Sequence, residues 1–158
     1  MLQPHANAST RRGMSMHTIA VTMPLVWLAW LMLTEWVPMF PLNDLRGDNR
    51  RERLGDAAVN YPIPLLIAGG VALDHQASRI AALVLCLLVT VGHVASWWLP
   101  YAGISTAAQR DSYARDYART LKVLPTQGRA VVPDVQHMVV GVLTLAMTAS
   151  TLAVTLAG

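Results

Sequence analysis

Four apolar runs, with nearly all of the charge left between them, limit what this chain can fold into. The first extends from about His17 to Phe40 and meets no Asp, Glu, Lys or Arg before Glu35. A helix needs about 20 such residues to cross a hydrocarbon core of roughly 30 Å at a rise of about 1.5 Å each. The second, about Ala57 to Leu73, is short and contains Asn60, Pro62, Pro64, Gly69 and Gly70. Proline at both 62 and 64 suits an entry turn better than a helix interior, so a full span and a re-entrant or broken helix both stay open. The third covers about Ile80 to Pro100 and the fourth about Val135 to Ala157. This pattern predicts an all-α chain: a polytopic transmembrane four-helix bundle with spans near 17–40, 57–73, 80–100 and 135–157.

Composition points the same way. Only 13% of the 158 residues are charged and 54% are hydrophobic. An average soluble domain carries about 25% charged residues. Such a chain is poorly suited to be a disordered tail, a nucleic-acid arm or an ordinary soluble enzyme. The lone cysteine, Cys86, leaves no intramolecular disulfide, CxxC pair or Cys-rich zinc site.

Residues 1–16 are polar and small, include Arg11 and Arg12, and read as a flexible tail ahead of one transmembrane domain, 17–158. A signal peptide fits less well, because the apolar stretch is long and no A-x-A-like site follows it. Asn7-Ala8-Ser9 matches a glycosylation sequon, a pattern short enough to arise by chance. His5, His17 and His75 lie near polar segments, where solvation explains them.

Two loops hold most of the charge. Residues 41–56 form the first. The second, 102–134, contains an expected amphipathic helix near 107–122. Thr106-Ala-Ala-Gln109 has the capping-box form. Tyr113, Tyr117, Leu121 and Leu124 recur at spacings of four and three, so the helix is expected to lie along the membrane interface. The loops carry Arg46, Arg50, Arg51, Arg53, Arg110, Arg115, Arg119, Lys122 and Arg129, against Arg11, Arg12 and Arg79 elsewhere. The positive-inside rule then puts both loops in the cytoplasm and both termini outside, in a cell (inner, cytoplasmic) membrane. Trp97, Trp98 and Tyr101 at the end of the third run, and Trp36 at the end of the first, mark one interface.

The fourth run has the most regular polar pattern. His137, Gly141, Thr144, Thr148, Thr151 and Thr155 make one narrow helical stripe. Its simpler reading is close packing with interhelical hydrogen bonds, and its sharper reading is a polar lining for a ligand. On the third run Ala82, Cys86, Thr90, His93, Ser96 and Trp97 share a face, and Gly92 with Ser96 permits close helix approach.

Ionisable groups inside apolar spans are costly and usually face partners. Glu35 and His93 are such groups, and His137 stands at a span's edge. Antiparallel spans bring all three to the cytoplasmic half, with Asn43, Asp44, Asn60 and Asp134 on the same rim. The cluster is a structural polar cap, or a catalytic or headgroup site with Glu35, His93 or His137 as proton carrier. No cofactor is expected. A haem held by His93 and His137 is an alternative with little behind it, because no repeated ligand motif accompanies the pair.

The segments WWLPYAGIS, RDSYARDYARTLKVLP and VPDVQH, between Trp97 and His137, resemble a group of small bacterial four-helix integral membrane proteins. EWVPMFPLNDL, from Glu35, is similar to the end of that group's first helix. The resemblance implies architecture and carries no activity. The sequence thus points to an interaction or accessory membrane protein, with a membrane-embedded enzyme or lipid-binding protein as the alternative. Its expected partners are the lipid bilayer and either a larger membrane protein or further copies of itself. Nucleic acid is not among them.

Overall fold

The computed structural model describes residues 5–46 and 50–157, with side chains from residue 15 onward. The side chains of His5, Asn7, Ser9, Arg11 and Arg12 therefore lie outside the described residues. The described secondary structure is helical, apart from one isolated bridge between Lys122 and Asp134.

Helix α1 runs from His5 to Trp36, so the backbone given above to a tail is helical from residue 5. No proline or turn pair interrupts 5–16, and the helix continues through them. Pro24 lies within α1 and denies the Ala20 carbonyl its helical donor. After Trp36 the chain turns through a cis Phe40–Pro41 bond into the first loop.

The second run is broken, as its prolines allow. Helix α2 spans Arg50–Asn60 and α3 spans Pro62–Ala72, meeting at Tyr61. Pro62 has no N–H to donate, and it stands at the start of α3, where none is needed. Asp74, at φ 54°, turns the chain into α4, Gln76–His93, whose N-cap is His75. The helix then widens through a π-helical turn, Val94–Trp98, and closes with α5, Leu99–Tyr101.

Helix α6 is shorter than its sequence pattern suggests, covering Ala107–Asp116. The Thr106–Gln109 capping box starts it. Tyr117 leaves helical geometry at φ −123°, and Leu121 instead donates its N–H to the Pro41 carbonyl at 2.8 Å. Leu121 and Leu124 therefore do not extend the tyrosine face. Tertiary hydrogen bonds to the first loop outweigh the local period. Helix α7 spans Val135–Ala157.

Three helical stretches are long and apolar enough to cross a membrane: Ser15–Trp36, Gln76–Tyr101 and Val135–Ala157. Helix α1 packs on α3 and α7, and α4 packs on the same two. The core between them contains Ala20, Ile67, Val71, Ala82, Cys86, Met147 and Val154. Helices α3 and α4 approach closely at Gly70, where an added Cβ would meet the Ser78 carbonyl at 3.0 Å and Ala82 Cβ at 3.2 Å. Gly92 has open space around it, so the close contact expected there is found instead between α3 and α4.

Polar side chains lock the two ends. At one, His17 bonds the Val71 carbonyl at 3.2 Å and lies 3.4 Å from Asp74, which also pairs with Arg79. Arg79 and Gln76 reach the carbonyls of Val154 and Thr155. Solvation alone thus does not account for His17. The threonine stripe of α7 is mostly used in packing. Thr144 accepts from Trp27 Nε1 at 3.0 Å, Thr148 meets Thr90 at 3.0 Å, and Thr151 lies 3.7 Å from the Cys86 sulfur.

Candidate functional site

The other end collects the C-terminus of α1, the α2–α3 junction, α6 and the start of α7. Its foundation is Asp134, a fully buried carboxylate. Its place one residue before α7 makes it the helix cap: Oδ1 accepts the His137 backbone N–H at 2.9 Å. The same oxygen accepts from the His137 ring Nδ1 at 2.7 Å, and Oδ2 accepts from the Thr120 hydroxyl at 2.7 Å. Burial pushes this carboxyl up, but the His137 and Thr120 hydrogen bonds and the His137 charge outweigh it. Asp134 is held below its ordinary value of 3.8.

Lys122 closes the turn beneath. Its ammonium donates to the Tyr117 carbonyl at 2.5 Å and to Thr120 O and Oγ1 at 2.8 and 2.6 Å. Burial lowers its pKa, partly opposed by the Asp134 charge. Segment 117–122 is thereby fastened to the base of α7.

The His137 ring is enclosed by aromatics. Trp97 stacks on it at 3.7 Å and 29°, and Tyr117 meets it edge-on at 5.1 Å. Trp97 belongs to the π-helical turn, a widening often found where a helix must present a side chain off its regular period. With Nδ1 taken by Asp134, the remaining ring nitrogen, Nε2, points away from the carboxylate.

A cavity of about 450 Å³ opens beside this ring. Helix α1 contributes Leu31, Thr34 and Glu35 to its wall, and the first loop contributes Asn43, Asp44 and Leu45. Helix α2 adds Glu52, Arg53, Asp56 and Asn60. The α6 segment adds Ser112, Arg115, Asp116, Tyr117 and Arg119, and α7 adds Gln136 and His137. A second hollow, also about 450 Å³, shares Ser112, Tyr117 and His137 and continues to Ser96 and Trp97.

Of the residues singled out from sequence, Glu35, Asn43, Asp44, Asn60 and His137 border the cavity. Glu35 accepts from the Tyr61 hydroxyl at 2.5 Å, and Tyr61 in turn accepts from Trp36 Nε1 at 2.8 Å. Asn43 is a brace: its amide donates to the carbonyls of Thr34 and Val37 and accepts from Met39 N. Asp44 is bound by Arg46 at 2.9 Å and Arg119 at 2.7 Å. The Arg46 hydrogen bond, first among several contributions, holds its carboxyl low.

His93, Asp134 and Thr144 are not on that wall. His93 is half-buried, with Nε2 only 2.7 Å from where a Cβ on Gly141 would stand. It sits one helical turn along α7 from His137. Among the described residues no group of three or more His, Cys, Asp or Glu is placed to hold a metal ion.

Sequence reading did not assign Tyr61, Glu52, Asp56, Arg115 or Arg119 to the site. One signal was present. Glu52, Asp56 and Asn60 recur every four residues and so share a face of α2. The arginines of α6 carry no such signal, because their spacing does not show which neighbouring element they face. No protein-family model, curated protein or solved structure matches this chain.

Proposed function

We propose that this chain is a polytopic integral membrane protein, with α1, α3, α4 and α7 as a four-helix transmembrane bundle and α6 at the interface. The observation that supports this most is the outward face of the long helices. Leu25, Met32 and Leu33 on α1, Val84, Leu88 and Val91 on α4, and Val142, Leu145 and Leu156 on α7 are all exposed. A water-soluble surface rarely carries apolar patches of this extent, whereas lipid tails match them. Helix α3 has 11 residues, about 16 Å of rise against a core of roughly 30 Å, so in this reading it enters the bundle as a short, broken fourth span continued by α2.

In this reading the cavity end faces the cytoplasm and the protein acts by interaction, as an accessory subunit of a larger membrane protein or as a homo-oligomer. A second reading, a headgroup-binding or membrane-embedded catalytic site, draws support from the cavity that Glu35, Asn60 and His137 border. No cofactor enters either reading, and a Soret band on purification would bring haem back.

Cysteine-accessibility labelling tests the topology. Ser112→Cys should react only from the cytoplasmic side and Ser9→Cys only from outside. Labelling of 112 but not 9 in intact cells would overturn the orientation. Mild-detergent purification tests the interaction: a larger partner, or further copies of the chain, should co-purify, and Glu35→Gln should leave that assembly intact. A monodisperse monomer with no partner would remove the accessory reading.

A further inference from the structure

The cavity at the α1–α2–α6–α7 end has a charge pattern that its own ion pairs leave incomplete. Asp116 is answered by Arg115 at 2.9 Å, and Asp44 by Arg46 and Arg119. Glu52 and Asp56 also line the wall, one helical turn apart on α2. Among the described residues neither makes an ion pair or hydrogen bond. Across the cavity, Arg115 and Arg119 each spend part of a five-donor guanidinium on one carboxylate. Although Arg53 shares the α2 wall and the Glu52 charge reaches Arg115, the cavity is lined by five carboxylates, Glu35, Asp44, Glu52, Asp56 and Asp116, against three guanidiniums, Arg53, Arg115 and Arg119, so it can take a further cation while Arg115 and Arg119 keep N–H donors for an anion.

We infer that this cavity holds the headgroup of an aminophospholipid, its primary ammonium at Glu52 and Asp56 and its phosphate at Arg115 and Arg119. The inference rests on the membrane reading above. Three further observations support it. The cavity lies at the end that carries Trp36, Trp97 and Trp98, and amphipathic rings of this kind settle at headgroup depth. Its volume of about 450 Å³ falls within the roughly 300–1,000 Å³ of clefts that hold small molecules. Leu31 and Leu45 give it an apolar edge where acyl chains can leave. The excess of carboxylates selects the amine. They accept N–H hydrogen bonds, which a primary ammonium donates and a quaternary one does not.

The test is lipid retention. The full chain is reconstituted in vesicles of equal parts phosphatidylethanolamine, phosphatidylcholine and phosphatidylglycerol, and then extracted in mild detergent. The lipids that stay bound are counted by mass spectrometry. The ethanolamine lipid should be enriched about tenfold over both others, the ratio that corresponds to about 1.4 kcal/mol. Glu52→Gln with Asp56→Asn should bring it back to the bulk ratio over phosphatidylcholine. Both side chains are exposed and the replacements are isosteric, so the fold should be retained, which circular dichroism of the double variant checks.

Equal retention of all three lipids by the wild-type chain overturns the inference without any variant, and so does preference for the glycerol lipid. Soluble phosphoethanolamine should compete the ethanolamine-lipid enrichment away, whereas binding of phosphoethanolamine with no lipid enrichment assigns the site to a free metabolite and overturns the lipid. Flotation separates the two levels. A chain that floats with vesicles but shows no preference loses only the headgroup, and one that does not float loses the membrane reading as well.

Discussion

His137 donates its ring Nδ1–H to Oδ1 of Asp134 across 2.7 Å, and that same oxygen takes the His137 backbone N–H at 2.9 Å. One buried carboxylate therefore caps α7, sets the histidine tautomer and orients the ring between Trp97 and Tyr117. Three consequences that are usually separate depend here on a single side chain.

Removing that side chain should be costly. Asp134→Ala strips partners from the His137 N–H, the His137 ring and the Thr120 hydroxyl in a buried setting. A loss of about 1–3 kcal/mol is expected. Asp134→Asn keeps a capping oxygen and should lose less. Unfolding in detergent, followed by circular dichroism, compares them. Equal midpoints for Asp134→Ala and the wild type would show that the pair contributes nothing to stability.

The same carboxylate makes stability depend on pH. Its folded pKa lies below the ordinary 3.8, so the unfolded chain takes up the proton first. The stabilisation is fully present above about pH 4 and is lost as pH falls through the folded value. An acid titration of wild type and Asp134→Asn should diverge above that point and converge below it. Parallel curves across the whole range would count against Asp134 as the titrating group.

The contact between Gly141 and His93 yields a cycle. A methyl on Gly141 would stand 2.7 Å from His93 Nε2, so the imidazole must move. Gly141→Ala is expected to destabilise by about 1–3 kcal/mol, the usual range for overpacking. In a His93→Ala background the same change should cost much less. An undiminished cost would mean that the obstacle is backbone and not the ring.

Trp27 and Thr144 bridge α1 and α7 through a buried 3.0 Å hydrogen bond. Thr144→Val preserves shape and removes the acceptor. In membrane proteins such bonds average about 0.6 kcal/mol, with a ceiling near 1.7. The loss should lie in that range, and Trp27→Phe should add little on top of it. Full additivity of the two losses would deny the bond.

Much of the helical layout was legible because it depends on local quantities. The length of an uncharged run decides whether a helix can cross a bilayer, and the three long stretches fall where those runs lie. Thr106 and Gln109 begin α6 through bonds that span three residues. The prolines at 62 and 64 already marked a break.

The site was legible only as a list of residues near one end. Tyr61 finds Glu35 from 26 residues away, and nothing local to either position announces the pair. Helix α6 stops short of its sequence pattern because Leu121 is claimed by the Pro41 carbonyl and Lys122 by the Thr120 turn. By itself the sequence determined that the chain is helical and where its three long apolar helices lie. These follow from hydrophobic length and charge placement, which are properties of single segments. Tertiary structure alone decided that Asp134 serves His137, that α6 borders a cavity and that Glu52 and Asp56 face it. Each of these depends on how helices rotate and dock against one another, which no single segment encodes.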